Sequence, residues 1–239
     1  MNNQLLQRVC SDRLLCAGLC LVCCWPAMLM ADNPVAVLDR LPTPAGATVQ
    51  MVTSDSVHNG MPIAIATFNS AQANDSVISF YRDQWNNNDS DKPPGFVESA
   101  LPDWQLISRV NQGFNIVVQL HSQAQDGAAG FISVMSINAT ATAEEHDEFA
   151  DLKPLSSHRS VDGVDTSLMR VYASPSSVSL THQRYRKRLV NRGWQIVSDS
   201  DIESHRVTVL ARDQSRLELS IVASRDYGSV VVAHQVTSQ

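Results

Sequence analysis

Beyond residue 24 this chain has no cysteine: all five, Cys10, Cys16, Cys20, Cys23 and Cys24, stand near its start. A segment without cysteine has no disulfide, no thiolate ligand and no cysteine nucleophile, so whatever folds there is held by apolar burial. The short signatures that carry chemistry are also missing. No G-x-S-x-G, G-x-x-x-x-G-K-[ST], H-E-x-x-H or G-x-G-x-x-G occurs, which removes the sequence arguments for the hydrolases, nucleotide enzymes and zinc enzymes those motifs mark.

Histidines and acids offer little more. His58, His121, His146, His158, His182, His205 and His234 are scattered, and none pairs with a second ligand at metal-binding spacing inside an expected helix or strand. The one local cluster, Glu144-Glu145-His146-Asp147-Glu148, has oxygen ligands suited to calcium or magnesium. It lacks the turn glycine and ordered spacing of a cation loop and reads as a solvated acidic linker. His121 and His234 fall near the ends of expected strands, where an imidazole can act as a base or simply pack. Asp103 beside Trp104 admits carbohydrate stacking, although a structural aromatic at a strand start is the simpler reading. No metal, cofactor or catalytic residue is expected, and the chain reads as a non-enzyme.

What is present begins with the leader. Arg8 and Arg13 precede an apolar run from Leu14 to Cys24 that continues to Ala31. A basic start, an apolar stretch and a small residue ahead of a polar one make a secretory signal peptide. Cleavage after Ala31 would open the mature chain at Asp32-Asn33-Pro34. Residues 14 to 30 give 17 apolar or small residues, the lower limit for spanning a bilayer core of about 30 Å, so an uncleaved anchor is the rival reading. Leu21-Val22-Cys23-Cys24 is a poor lipoprotein site. The expected location is the periplasm or another exported compartment.

After the leader, two halves match in order. Leu41-Pro42-Thr43-Pro44 and Leu152-Lys153-Pro154-Leu155 open them, then Phe68-Asn69-Ser70 and Tyr172-Ala173-Ser174, Tyr81 and Tyr185, Gly95-Phe96 and Gly193-Trp194, Asn111-Gln112-Gly113 and Asp213-Gln214-Ser215. Ser70 and Ser174 are placed as helix N-caps, with Pro175 at the first helical position. Val77, Phe80, Tyr81 and Trp85 recur at helical spacing, as do Val178, Tyr185 and Leu189. Gly193 suits a left-handed helix end. Alternating apolar residues at 116–120 and 217–222 mark strands with one buried face. Each half therefore reads strand, strand, helix, then a meander of strands.

The expected class is α+β: a signal peptide over 1–31, a first module over 32–140, an acidic linker over 141–151 and a second module over 152–239, each module one helix on its own antiparallel sheet. This layout resembles the paired helix-grip modules of BamC-type outer-membrane assembly lipoproteins. It also looks like tandem α+β repeats of uncharacterised exported bacterial proteins. The resemblance lies in the order of elements. It implies an envelope role and transfers no functional residue.

Charge is the uneven feature. Residues 41–140 carry three basic and eight acidic side chains, residues 141–151 five acidic ones, and residues 152–239 twelve basic against eight acidic. Five of those cations, Arg184, Arg186, Lys187, Arg188 and Arg192, fall on one expected helix. Arg184, Arg188 and Arg192 are four apart and so form a stripe. Three readings are open: a solvated face, a surface for an acidic partner or anionic membrane, and a seat for the chain's own acidic linker. Nucleic acid is not an expected partner of an exported, acidic chain. The function expected is protein contact in the envelope through two similar modules. A second reading is a lipid or small molecule held between helix and sheet by Phe68, Tyr81 and Trp85 or by Tyr172, Tyr185 and Trp194. An envelope hydrolase is the third.

Overall fold

Strand after strand in this chain alternates one buried and one less buried residue, as in Met61–Ser70, where Ala64, Ala66 and Phe68 are buried and Ile63, Ile65 and Thr67 are not. The computed structural model describes residues 33–86, 95–122, 127–139, 147–202 and 205–238, all within the unit Asp32–Gln239. The expected leader lies outside the described residues, as does the part of the acidic linker before Asp147. In order the elements are α1 (Pro34–Asp39), β1 (Thr48–His58), β2 (Met61–Ser70), α2 (Asn74–Trp85), β3 (Val97–Leu101), β4 (Trp104–Asn111), β5 (Phe114–Ser122) and β6 (Ala128–Ser136), then β7 (Lys153–Asp162), β8 (Asp165–Ser174), α3 (Val178–Asn191), β9 (Gln195–Ile202), β10 (His205–Arg212), β11 (Ser215–Ala223) and β12 (Ser229–Ser238). Among the described residues no helix is long and apolar enough to cross a membrane.

The twelve strands form one antiparallel sheet in the order β3-β4-β5-β6-β2-β1-β7-β8-β12-β11-β10-β9. This corrects the expected fold class. There are not two tandem helix-on-sheet, helix-grip-like modules but one continuous, strand-dominated sheet, inside which the repeated element order reads the same from either edge. The physical reason sits at the middle. Two separate sheets would each end in a bare edge strand, β1 in one and β7 in the other, with a row of unpaired N–H and C=O groups. Here the two edges satisfy each other through Ser56–Ser160, Val57–Arg159 and His58–His158. The Asn59 N–H extends the seam to the Ser157 carbonyl at 2.9 Å, and the Ser157 N–H donates to Asn59 Oδ1 at 2.8 Å.

Because paired residues in adjacent strands project to the same side, the register across the seam carries one face of the first half into the same face of the second. Both long helices lie on that side. Beneath α2, Val77, Tyr81 and Trp85 meet Phe68, Ile107, Val118 and Ile132. Beneath α3, Tyr185 and Leu189 meet Tyr172, Leu210, Leu219 and Ile221. Each such side chain contributes about 1.5–3 kcal/mol by burial.

Local chemistry sets the element ends. Asn59-Gly60 and Gln112-Gly113 both have positive φ, the requirement of a two-residue hairpin turn. After α3 the Gly193 N–H bonds the Val190 carbonyl and the Trp194 N–H the Leu189 carbonyl, with Gly193 at φ +89°: a left-handed helix end that drops Trp194 into the core. Ser70 and Ser174 are not N-caps. They end β2 and β8 and accept the Gln72 and Ser176 N–H groups; α3 is capped by Ser177, and α2 begins at Ala73 without a side-chain cap.

The seam also titrates. The His58 and His158 rings stand 6.0 Å apart, and burial, then the neighbouring His58, hold His158 below the ordinary imidazole range. With the folded pKa lowered, the unfolded chain takes the proton first. The corresponding stability is full above about pH 6.5 and is lost as pH falls through the folded value. Urea midpoints across this range should rise with pH, and His158→Gln should flatten the slope. An unchanged slope would remove the seam from the account.

Candidate functional site

The basic helix face was the one site expected from the sequence, and the structure sets most of it against the chain's own acids. Immediately before β7, Phe149 and Leu152 turn into the second core, and this anchors the segment 147–152 beside α3. Asp151 then bonds Arg184 and Arg188 and accepts the Tyr185 hydroxyl at 2.9 Å. Glu148 pairs with Arg192 and lies 3.7 Å from Arg212, while Arg188 also donates to the Glu148 carbonyl at 3.1 Å. Arg186 points elsewhere, to Asp199 on β9 at 3.2 Å. Lys187 is exposed and, among the described residues, alone of the five has no ion pair. Of the three readings open for this face, the geometry is that of the linker seated on it.

Electrostatics centre on Asp151. Its hydrogen bond from Arg188 is the largest of the causes that bring its carboxyl down to about 2, despite partial burial. The other side of the same contact pushes the Tyr185 phenol up to about 12, burial leading and Asp151 following. Arg188 also lies over the Tyr185 ring, 4.9 Å from its centroid. A second polar group is buried nearby: His182 donates to or accepts from Thr208 at 2.9 Å and lies 3.2 Å from Asp199.

Among the described residues the opposite face of the sheet carries no helix, and in the first half it is nearly free of charge. Following the register, its paired positions in the first half are Val97, Ser99 and Leu101 on β3, Trp104, Leu106, Ser108 and Val110 on β4, and Asn115, Val117, Gln119 and His121 on β5. Ala129, Phe131, Ser133 and Met135 on β6 continue it, with Met61, Ile63, Ile65, Thr67 and Asn69 on β2 and Thr48, Gln50, Thr53, Ser56 and His58 on β1. None is Asp, Glu, Lys or Arg. The charged residues of these strands that pair, Glu98 and Arg109, turn to the helix side, where Glu98 meets Arg82 of α2 at 2.8 Å. In the second half the same face holds Lys153, Asp162, Asp165, Arg216 and Glu218, three of them at strand ends. Sequence reasoning missed this surface, though a signal existed: β2, β5, β6 and β12 contain no Asp, Glu, Lys or Arg at all.

Cavities lie at the rims. One of about 640 Å³ is bordered by Asn74, Leu101, Asp103, Trp104, Gln105 and His121. Trp104 is held edge-on to His121 at 4.8 Å and stacked at 6.2 Å on Phe131, so both the ring and the histidine singled out from the sequence meet at the end of the uncharged face. His234 instead shares a 2.9 Å hydrogen bond with Ser167. Glycosidic cleavage uses two carboxyl groups about the scissile bond, and among the described residues this cleft is bordered by one, Asp103. The six aromatics expected to line a groove are core: Phe68, Tyr81, Trp85, Tyr172, Tyr185 and Trp194 are all buried, although Trp85 also borders a separate cavity of about 330 Å³. Among the described residues no three His, Asp or Glu gather as metal ligands; Glu144, Glu145 and His146 fall outside them.

Compared with protein-family models, curated proteins and solved structures, the chain has no significant match.

Asp151→Asn tests the seated segment. It removes the negative charge and leaves one acceptor oxygen for two guanidiniums and a phenol, and should lower stability by about 1–2 kcal/mol, the range for a partly exposed charge-assisted network, read from urea denaturation. Since the folded carboxyl titrates near 2, this stability is present above about pH 4 and lost as pH falls toward 2. In the variant, that part of the acid dependence should vanish.

Proposed function

We propose that this chain is a non-enzymatic, exported envelope protein that holds a partner protein against the uncharged face of its sheet. The single observation that carries this reading is the segregation of charge described above: six adjacent strands without one charged side chain among the paired positions of their bare face. Water-facing sheets ordinarily alternate apolar-in with polar-out, and depletion of charge is what distinguishes the centre of a protein interface from other surface. Phe131, Val110 and Leu101 are 42, 65 and 56 % exposed, a scale of apolar exposure typical of contact surfaces.

Size supports a protein as the occupant. Six strands spaced about 4.8 Å, with paired segments about 23 Å long, present roughly 700 Å², close to the ~800 Å² each partner contributes to a standard interface. The partner that fits is one presenting an uncharged, apolar-rich surface of its own, because a charged one would lose hydration with no opposite charge to meet. The expected secretory leader supports an encounter outside the cytoplasm, where a disulfide-free protein of this kind relies on burial alone.

Photo-crosslinking in a secreting host from an unnatural amino acid at position 131, with Leu101→Lys and Val110→Glu as interrupting variants, tests the reading. The expected outcome is one dominant heterologous protein adduct, lost by about tenfold or more in the variants, which should retain their native unfolding transition. Adducts only to lipid, only to a second copy of the chain, or equally strong in both variants would overturn it.

A further inference from the structure

One row of paired positions on the bare face differs in composition from the rest of the chain. Across five adjacent strands, Met61 on β2 faces His58 on β1, and His58 faces His158 on β7. His158 then faces Met169 on β8, and Met169 faces His234 on β12. Facing residues of neighbouring strands project to the same side of a sheet, so these five side chains stand in one line across the seam. Beyond residue 30 the chain has four methionines and seven histidines. Two of those methionines and three of those histidines fall in this single row, although their strands are far apart in sequence.

The seam brings two imidazoles to chelating distance. The His58 and His158 rings have centroids 6.0 Å apart and are tilted by 48°. With metal–nitrogen bonds of about 2 Å, two rings that share one ion have centroids about 5–6 Å apart, so the pair needs little adjustment. Met169 directly faces His158, with its Cβ about 4.5–5.5 Å away by strand geometry, and its flexible thioether can reach back over the pair. Both histidines are half-buried and Met169 is 41 % exposed, which leaves the group open to an incoming ion. The hydrogen bonds also say which His58 nitrogen carries the lone pair. Asn59 Oδ1 is committed to the Ser157 N–H at 2.8 Å, so Asn59 Nδ2 donates to His58 Nε2 at 3.2 Å, and an ion would take the place of that exposed N–H. His234, by contrast, shares its Nε2 with Ser167 at 2.9 Å.

We infer that this row binds one monovalent copper ion over the seam, held by the imidazoles of His58 and His158 and the thioether of Met169. The ligand types choose the metal. Zinc is bound by thiolate, imidazole and carboxylate, of which this group offers only imidazole, and calcium and magnesium require oxygen. Thioether together with imidazole suits copper, and the soft sulfur favours Cu(I). With no cysteine beyond residue 24, methionine is the soft donor that strands β1 to β12 can supply. All three ligands are neutral, and the row meets a carboxylate only past His234, at Glu218. A single positive charge is therefore less costly here than a double one. The inference goes beyond the docking reading and does not need it, because the ligands belong to this chain alone and the site can be titrated without a partner.

Anaerobic titration of the purified protein with Cu(I), in competition with the chromogenic chelator bicinchoninate, tests the assignment, with Zn(II) titrated in parallel. One equivalent of Cu(I) should bind, at least about a hundredfold more tightly than Zn(II). Met169→Leu, a volume-conserving change at an exposed position, should weaken Cu(I) by about tenfold or more, and His158→Gln should weaken it further. Met135→Leu, which alters a methionine of the same face outside the row, should leave the affinity unchanged. Met169→Leu keeps the test decisive if His158→Gln unfolds. No competition for Cu(I), Zn(II) bound as tightly as Cu(I), full Cu(I) affinity in Met169→Leu, or an equal loss in Met135→Leu would overturn the assignment.

Discussion

A three-rung pairing between β1 and β7 governs the arrangement of everything else. It is short, Ser56–His58 against His158–Ser160, but it turns two six-strand halves into one twelve-strand sheet with a single hydrogen-bond network. Strand geometry then leaves no freedom about sides: once the register crosses the seam, both long helices must share a face, and among the described residues the other face of all twelve strands stays without a helix. An alternative in which the halves packed helix to sheet would have hidden part of that face. The edge pairing leaves it open.

From that division follows the separation of charge. Ionic residues collect where the helices are. Asp151 and Glu148 gather the arginines of α3, Asp199 takes Arg186, and Glu98 takes Arg82. Each of these contacts is individually modest because water reaches it. Together they fix the segment before β7 on the second half and consume the basic stripe that would otherwise be available to an acidic partner. The protein thus has an ionic side that is largely self-satisfied and, in its first half, an opposite side whose paired positions carry no charge.

Much of the local structure was legible in the sequence. The helical spacing of Val77, Tyr81 and Trp85, the helix stop at Gly193 and the alternation around Ile116–Leu120 all come from near-neighbour physics and reappear in the elements. Less local features were not legible. Two matching halves gave no hint that their edge strands would pair, because the pairing residues, Ser56 to His58 and His158 to Ser160, are polar or unremarkable and their meeting depends on a contact about a hundred residues apart. The serine caps were misplaced because Ser70 and Ser174 close their own turns before the helices begin. Helix α1 was overlooked although Asn33-Pro34, an N-cap followed by a first-turn proline, is a start signal. Of the candidate site, the stripe of arginines was legible as a stripe; that Asp151 would sit on it was one of several open readings, and the uncharged face went unseen because it is assembled from alternate residues of separate strands.

Everything else depends on the seam, and the absence of cysteine beyond residue 24 makes it directly measurable in the chain from Asp32 onward. With His58→Cys and His158→Cys combined, facing positions of adjacent antiparallel strands lie within disulfide reach. Mild oxidation should close one disulfide inside a single chain, seen as a loss of two mass units and no dimer, while either single variant stays reduced or dimerises. Free thiols persisting in the monomer, or disulfides formed only between chains, would mean that the two halves do not share one sheet.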